Sequence, residues 1–590
     1  MATARIEFPA RLTAGWLRGL YLNGELEPEE VMREIIRRAE RDRKMNIWIE
    51  PPAEAKIRPY LEALRELDSQ QYPLWGIPFA VKDNIDVKGL PTTAACPAFA
   101  YTPEEDAAVV ARLIAAGAIP VGKSNLDQFA TGLVGVRSPY GEAHNALRPE
   151  YISGGSSSGS AVAVARGQAV FGLGTDTAGS GRVPAALNGL VGYKPSLGAW
   201  PVRGVVPACA SLDCVTVFAH NLADALTVDR AVRGFDAADP WSRAVERHAS
   251  RLPGRLLLPE APLEFYGPHA EEYRRAWEQA EANVQALGLP VQRVDCTLFF
   301  EAASILYDGP WVAERWAGLG EFVENHREAV LPVTERILSS GAAERHTAAS
   351  LFQAIHRLQR YKGEAAGLLE DAVLVLPTCG GTWTREQLAL NPVGGNSDMG
   401  RYTNHCNLLD LAAVAIPAGE AAEQLPFGIT LFARADSEHL LAGTAAQFLG
   451  GGVPPEAEAG EPAPGWTVLA VCGLHMRGYP LERQMREHGA YFWQEARTAP
   501  SYELYKLRSE PAKPGLIRQA AGGSSIELEL WQMPAASLGA FAGLIPAPLG
   551  LGRVELEDGR QVTGFICEGY AAADADNITA SGGWRYITGL

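Results

Sequence analysis

Short apolar runs alternate with helical patterns along the first three quarters of the chain. Helix-spaced apolar side chains occupy residues 106–116, and small apolar residues fill residues 161–166. The apolar runs, which are typical of buried strands, are residues 77–81, 119–121, 171–173, 373–376 and 414–416. This alternation predicts an α/β layered core with a largely parallel or mixed sheet. A helical segment over about residues 1–70 is expected to precede that core.

A change in composition marks a boundary between two domains. Residues 450–465 read GGGVPPEAEAGEPAPG, which follows neither a helix nor a strand period. The following run, residues 467–473 (TVLAVCG), predicts a buried strand that opens a new unit of ordinary domain size. We therefore predict a first domain over 1–449, a linker over 450–466 and a C-terminal domain over 467–590.

Charge and hydropathy argue against nucleic-acid and membrane partners. The 590 residues carry 52 Lys and Arg against 69 Asp and Glu, a net charge of −17, whereas a phosphate-backbone binder needs a basic face. Residues 1–20 show no signal-peptide pattern. The uncharged stretch 533–552 contains three prolines, so a strand-and-turn segment is expected there rather than a spanning helix. A cytoplasmic protein is predicted.

The eight cysteines show no metal-site spacing. None forms a CxxC pair, and none lies beside a histidine at zinc-ligand spacing. Free, mostly buried thiols and no metal are expected at these positions, which are Cys96, Cys209, Cys214, Cys296, Cys379, Cys406, Cys472 and Cys567.

Residues 154–184 (GGSSSGSAVAVARGQAVFGLGTDTAGSGRVP) hold the candidate chemistry. A flexible Gly/Ser loop is disfavoured because apolar, helix-forming flanks pin both ends, and neither phosphate-loop pattern follows a strand. A serine on the second turn would present its hydroxyl beside the backbone N–H groups of an oxyanion hole. The residues of that turn are Thr177, Ala178, Gly179 and Ser180.

A nucleophilic Ser180 needs a base. His144 is the nearest histidine, but it lies in no GxSxG-type context. Lys82 follows the apolar run 77–81, and a buried lysine can be neutral and accept a proton. Asp176 and Arg182 flank the turn, where an ion pair that braces it is favoured over a chemical role.

The segments 76–93 (GIPFAVKDNIDVKGLPTT) and 154–184 together resemble the amidase-signature family, which uses a Ser–cis-Ser–Lys triad. Segments 123–132 and 401–419 extend the resemblance to about residues 76–441. It implies an α/β/α layered fold with a mixed central sheet and no cofactor. It also implies that Ser180 is the nucleophile and that Ser156, on a cis peptide bond and 24 residues before it, passes the proton to Lys82.

Two features bear on the substrate. Tyr307 and Arg315, eight residues apart, could share one helix face, where an arginine could bind a carboxylate in bidentate fashion. A surface arginine with a packed tyrosine is the alternative. The segment resembles the substrate-binding stretch of allophanate hydrolases, whose matching Tyr and Arg hold a small anionic substrate.

The C-terminal unit resembles the C-terminal domain of allophanate hydrolases. The segments that carry this likeness are 469–507, 545–559 and 564–571. The resemblance implies a small γ-glutamyl cyclotransferase-like β-barrel of the α+β class, with His475 at the position of a key histidine. A packed structural histidine is the alternative.

The resemblance implies hydrolysis of allophanate to ammonia and N-carboxycarbamate, which loses carbon dioxide with the help of the C-terminal domain. It also implies a homodimer and a place in urea degradation beside a urea carboxylase, or in s-triazine degradation. The alternatives are a general amidase for aryl or aliphatic amides, an amidotransferase subunit and a non-catalytic scaffold.

Overall fold

The computed structural model describes residues 6–69, 71–306, 309–450, 466–488 and 490–587. Residue contacts divide the chain into two compact units, Met1–Pro455 and Glu456–Leu590. Most of the predicted linker, residues 451–465, lies outside the described ranges. In these ranges no helix combines the length and the hydropathy that a membrane crossing requires.

One mixed sheet forms the centre of the first unit. Its strands are β1 (Trp48–Glu50), β2 (Pro78–Lys82), β3 (Ile119–Ser124), β4 (Phe171–Asp176), β5 (Val191–Lys194), β6 (Cys214–Ala219), β7 (Arg255–Pro259), β8 (Val291–Val294), β9 (Ala372–Pro377), β10 (Leu411–Ala422) and β11 (Leu425–Arg434). They are ordered β1-β3-β2-β4-β6-β5-β10-β11-β9-β7-β8. β2 is parallel to β3 and β4, whereas β10 is antiparallel to β5 and β11. The predicted α/β fold with a mixed sheet is confirmed.

Helices connect these strands. They are α1 (Ala14–Leu22), α2 (Pro28–Arg41), α3 (Glu54–Leu64), α4 (Ala108–Ala115), α5 (Ser158–Ala165), α6 (Val183–Leu187), α7 (Leu222–Val232), α8 (Ala270–Gln285), α9 (Thr297–Ser304), α10 (Val312–Asn325), α11 (Pro332–Ser339), α12 (Ala348–Leu368), α13 (Arg385–Leu390), α14 (Gly394–Gly400), α15 (His405–Leu408) and α16 (Glu438–Phe448). The first three lie before residue 70, where a helical segment was predicted, and strand β1 lies between α2 and α3.

Apolar clusters cover both faces of the sheet. Successive side chains of a strand point to opposite faces, so each central strand contributes to two clusters. In β2, Phe79 and Val81 belong to one apolar cluster and Ala80 to another. In β9, Val373 and Val375 pack in the first of these clusters, while Leu374 packs in a third. The central strands therefore read as continuous apolar runs, and polar side chains at their ends sit next to a dry core.

The second unit contains two sheets. Its elements are β12 (Trp466–Val471), α17 (Glu482–Glu487), β13 (Tyr491–Arg497), β14 (Tyr502–Leu507), β15 (Lys513–Arg518), β16 (Glu527–Pro534), α18 (Ala535–Ala542), β17 (Leu549–Glu555), β18 (Gln561–Cys567) and β19 (Asp576–Asn577). One sheet has the order β13-β16-β12-β18-β17 and the other β15-β14-β19. Helix α18 lies within the stretch 533–552, where strands and turns alone were expected, because its AASLGAFA sequence favours a helix.

The described residues of this unit show no closed barrel, in contrast to the finer part of the prediction. The five-stranded sheet has β13 and β17 at its edges. Just beyond those strands, Thr498 and Leu556 form an isolated bridge. A barrel needs a continuous hydrogen-bonded ladder between its first and last strands, and a single bridge does not provide one.

The cysteines agree with the prediction. All eight are free and buried. Burial is the first cause of the raised pKa of the Cys214 and Cys472 thiols, to about 12 in each case. Such thiols stay protonated near neutral pH and behave as small apolar side chains.

Candidate active site

Lys82 ends β2 and is completely buried. Its Nζ donates to Ser156 Oγ at 2.8 Å and to Thr175 Oγ1 at 2.7 Å. Thr175 belongs to β4, which lies beside β2 in the sheet. The parallel pairing brings the carboxyl ends of both strands to one edge, so this edge holds the lysine and both hydroxyls.

Burial lowers the pKa of Lys82 to about 7. The negative charges of Asp127, Asp213 and Asp176 oppose this shift, and the positive charge of Arg315 adds to it. A group with this pKa exists in both protonation states near neutral pH, as a general base requires.

The peptide bond between Gly155 and Ser156 is cis. The Ser156 carbonyl accepts the N–H of Asp127 at 3.0 Å. A Cβ atom at Gly155 would lie 2.1 Å from Asp127 Oδ2, so only glycine fits there. The Asp127 carboxylate also accepts the N–H groups of Val134, Gly135 and Arg137 at 2.9–3.1 Å. These contacts hold the Ser156 loop in one position against its neighbours.

Ser180 lies on the turn between β4 and α6 and is 4% exposed. The turn wraps around the carboxylate of Asp176, which accepts the N–H groups of Gly179 at 2.9 Å and Gly181 at 3.0 Å. Arg182 donates to both oxygens of the same carboxylate at 3.0 Å. Neither charged side chain is exposed. Although burial opposes ionisation, Arg182 holds the pKa of Asp176 below its usual range.

The pair Asp176–Arg182 is thus the bracing ion pair that was favoured from the sequence. Gly179 has a φ of +140°, and a Cβ there would lie 2.3 Å from Thr403 Oγ1. The turn can therefore pack against Thr403 only with glycine at this position.

The backbone donors of the turn divide into two groups. The Gly179 N–H is occupied by Asp176. The N–H groups of Thr177, Ala178 and Ser180 donate to no acceptor within the described part of the chain. Three donors on a rigid turn, next to a serine hydroxyl, can stabilise negative charge on a carbonyl oxygen.

Arg315 lies on α10 and is only 3% exposed, so the alternative of a surface arginine is wrong. Its Nη1 donates to Thr131 Oγ1 at 3.2 Å. Its charge also affects the pKa of both Lys82 and Asp213, so the guanidinium lies within electrostatic range of the lysine. Tyr307, the other residue expected to bind the substrate, lies outside the described residues.

His475 lines a cavity of about 210 Å³ in the second unit. Its Nε2 is 3.0 Å from Gln484 Oε1, and its ring stacks on Phe565 at 4.9 Å between centroids. Burial lowers the pKa of His475, and the ammonium of Lys513, which lines the same cavity, adds to this effect. The imidazole is therefore neutral near pH 7 and faces a cavity that carries one cationic side chain.

Sequence reasoning missed three members of the first site. They are Thr175, Asp127 and Asp213, which bind or electrostatically influence Lys82. Asp127 lies in the segment 123–132, which resembled the amidase-signature family, but only the fold brings it to the Ser156 loop. Thr175 could have been suspected because it lies on a strand that leads directly into the nucleophile turn.

Comparisons with known proteins identify relatives over nearly the whole described chain. The chain is 40% identical over 577 residues to the urea amidolyase of Saccharomyces cerevisiae. The aligned region covers 92% of this chain and 31% of that protein. It thus spans about a third of that relative. The crystal structure of Kluyveromyces lactis urea amidolyase matches 98% of this chain and 36% of its own, with 37% identity and a TM-score of 0.85. The selenomethionine-substituted allophanate hydrolase of the same organism matches 98% of both chains, with 36% identity and a TM-score of 0.83.

Family models match both units. The amidase model covers residues 30–442, and the model of the allophanate hydrolase C-terminal domain covers residues 467–588. The first match includes every residue of the Lys82 site, and the second includes His475. The chain therefore belongs to the amidase family and carries an allophanate hydrolase C-terminal domain.

Proposed function

We propose that this chain is an allophanate hydrolase that uses Ser180 as nucleophile. The observation that carries the proposal is the buried Lys82, which is hydrogen-bonded to Ser156 and to Thr175 on the strand that leads into the Ser180 turn. The buried Arg315 lies within electrostatic range of this lysine. Lys82, Ser156 and Ser180 are suited to amide hydrolysis, and Arg315 is suited to binding an anionic amide. The allophanate hydrolase of Kluyveromyces lactis, which matches 98% of this chain, supports the same substrate.

In the first step Ser180 Oγ attacks the carbonyl that carries the terminal NH2 of allophanate. Ser156 accepts the hydroxyl proton of Ser180 and passes its own proton to neutral Lys82. The N–H groups of Thr177, Ala178 and Ser180 stabilise the oxyanion, while Gly179 keeps the turn on Asp176. The proton then returns to the leaving nitrogen, which departs as ammonia.

In the second step water attacks the acyl-enzyme, with Lys82 and Ser156 now relaying the proton of water. The ester bond to Ser180 breaks, the serine regains its proton and N-carboxycarbamate is released. These steps need no metal and no organic cofactor.

Arg315 supplies the specificity in this proposal. Allophanate carries a carboxylate, and a guanidinium matches a carboxylate with two parallel hydrogen bonds. A neutral amide cannot form this pair of charge-assisted hydrogen bonds with Arg315. Tyr307 is proposed to add one hydrogen bond to the same substrate.

The second unit is proposed to act on the product of the first. N-carboxycarbamate takes up one proton and loses carbon dioxide, which leaves carbamate. The cavity of His475 is large enough for a molecule of this size, and Lys513 provides a positive charge for its carboxylates. A neutral His475 can exchange a proton with the nitrogen between the carboxylates.

We further propose that the substrate comes from a urea carboxylase. The relative from Saccharomyces cerevisiae is named urea amidolyase, which connects that protein with urea, and this chain covers only 31% of its length. A homodimer in the cytoplasm remains the prediction for the assembly and its location, with s-triazine degradation as another source of substrate.

The test of the whole proposal is ammonia release from allophanate by the purified chain. Ser180→Ala should abolish it, and Lys82→Ala or Ser156→Ala should lower kcat by at least about a thousandfold, because all three act as one unit. The double variant should be little worse than either single one. Faster turnover of acetamide, indoleacetamide or glutamine than of allophanate would favour the general-amidase or amidotransferase alternatives.

The pH dependence should report Lys82. Because only neutral Lys82 accepts a proton and its pKa is about 7, kcat/KM should rise as pH increases to about 7 and level off above it. Burial raises the pKa of Asp213 to about 6, so its titration could imitate this limb. A pH series of Asp213→Asn serves as control, since a limb that persists there cannot come from Asp213. A flat profile in the parent enzyme from pH 5.5 to 9 would contradict a lysine base.

Arg315 should decide between charged and neutral substrates. Arg315→Ala should cost about 2–5 kcal/mol with allophanate, or about 30- to 4000-fold in kcat/KM, because it breaks a buried charge pair. Arg315→Lys should recover part of this loss. With biuret, in which a carboxamide replaces the carboxylate, the same change should have much less effect. Equal losses with both substrates would contradict a carboxylate clamp.

His475 should affect the second reaction only. In a carbon-13 NMR time course on labelled allophanate, His475→Ala should lengthen the lifetime of N-carboxycarbamate at an unchanged rate of ammonia release. His488→Ala is the matched control, because this histidine lies in the same unit but does not line the cavity. If His475→Ala and the parent show the same lifetime, the packed structural histidine is the correct interpretation.

A further inference from the structure

The loop 208–213 lies next to the nucleophile turn and is held there by a buried carboxylate. Asp213 Oδ1 accepts the hydroxyl of Thr177 at 2.5 Å. Asp213 Oδ2 accepts the N–H groups of Ala208 at 2.8 Å and Cys209 at 3.0 Å. One side chain thus connects the turn that bears the proposed oxyanion donors to the start of the loop.

A second carboxylate holds the same loop from α10. Glu314 Oε1 accepts the N–H of Ser211 at 2.7 Å. Glu314 Oε2 accepts the Ser211 hydroxyl at 2.6 Å and the Cys209 thiol at 2.9 Å. The Ser211 N–H, the Ser211 hydroxyl and the Cys209 thiol are all donors toward Glu314. Only a side chain that accepts hydrogen bonds can satisfy these three groups.

Glu314 is the neighbour of Arg315 on α10. Successive side chains on a helix point about 100° apart, so neighbouring residues of α10 can contact two different segments. Glu314 contacts the loop 208–213, while Arg315 contacts Thr131. The positive charge of Arg315 also acts on Asp213 and on Cys209. The two carboxylates and the arginine therefore form a continuous chain of contacts from Thr177 to Arg315.

This arrangement has a consequence for the chemistry. The loop has no regular secondary structure, and besides its own backbone hydrogen bonds its position is set by side-chain contacts with Asp213, Glu314 and Asn407. Stabilisation of an oxyanion requires donors held in place before the reaction, and a displacement of about 1 Å can cost about a hundredfold in rate. The carboxylate of the proposed substrate must reach Arg315 while its amide carbonyl reaches the turn. The distance between these two points must therefore be constant.

We propose that Asp213 and Glu314 are positioning residues that set the nucleophile turn and Arg315 at a constant distance from each other. Neither residue is proposed to touch the substrate. This proposal rests on the function proposed above only in taking allophanate as the substrate.

The two residues should have different kinetic signatures. Asp213→Asn should lower kcat about tenfold to a hundredfold with both allophanate and biuret, since it loosens the turn. It should also move the acidic limb of the pH profile to lower pH, because the charge of Asp213 raises the pKa of Lys82. Glu314→Gln should lower kcat similarly and raise KM for allophanate more than for biuret.

A serine-directed fluorophosphonate probe tests the turn without any amide substrate. A bond forms between Ser180 Oγ and phosphorus, the P–F bond breaks, fluoride leaves with the electron pair and the hydroxyl proton passes through Ser156 to Lys82. The phosphoryl oxygen occupies the position of the oxyanion. Asp213→Asn and Glu314→Gln should slow labelling about tenfold or more.

Glu321→Gln is the matched control, because Glu321 is an exposed carboxylate on the same helix. Its labelling rate and kinetics should equal those of the parent. Ser211→Ala, which removes one hydroxyl from Glu314, should slow labelling in the same direction by a smaller factor. It keeps the proposal testable if Glu314→Gln lowers the melting temperature too far for assay.

The outcomes separate the two proposals. Labelling of both Asp213→Asn and Glu314→Gln within twofold of the parent, in folded protein, would overturn the positioning role whatever the substrate is. Slow labelling of these variants in a protein that does not hydrolyse allophanate would overturn the substrate and retain the positioning role.

Discussion

The site depends on the burial of one lysine at the end of a central strand. Removing the Lys82 ammonium from water is unfavourable, and this cost makes a neutral amine accessible near pH 7. Three carboxylates, Asp127, Asp213 and Asp176, moderate the cost through their charges. Without them the amine would be a weaker base, and with a carboxylate in direct contact it would stay protonated. Two hydroxyl groups are its direct partners instead.

The carboxylates that surround the lysine also build the backbone around it. Asp127 organises the segment opposite the Ser156 loop, and Asp176 organises the nucleophile turn. Asp213 connects that turn to the loop 208–213. The negative charge of each carboxylate raises the pKa of Lys82, and its hydrogen bonds hold the backbone of the site in place. A substitution at any of them is expected to change basicity and geometry together, so the kinetic tests include a charge-neutral variant and a pH profile.

Glycine is required where the Ser156 loop and the nucleophile turn each pack against a neighbouring side chain. Gly155 lies against Asp127, and Gly179 lies against Thr403 with a φ of +140°. Neither position has room for a Cβ atom. The Gly/Ser composition of residues 154–184 therefore reflects close packing rather than flexibility. This agrees with the apolar residues between the two turns, which form α5 and β4.

The sequence alone determined the family through motifs that resemble it, and its apolar periodicity predicted the α/β core. The candidate triad is what that resemblance implies. The ion pair of Asp176 and Arg182 could also be predicted, since both residues flank one short turn. Tertiary structure decided the rest. Thr175, Asp127 and Asp213 reach Lys82 from separate strands and loops, and Arg315 is buried by contacts with distant segments. Closure of the second unit likewise depends on which strand edges pair. Such contacts join residues far apart in the chain, and their geometry is set by packing rather than by any local pattern of residues.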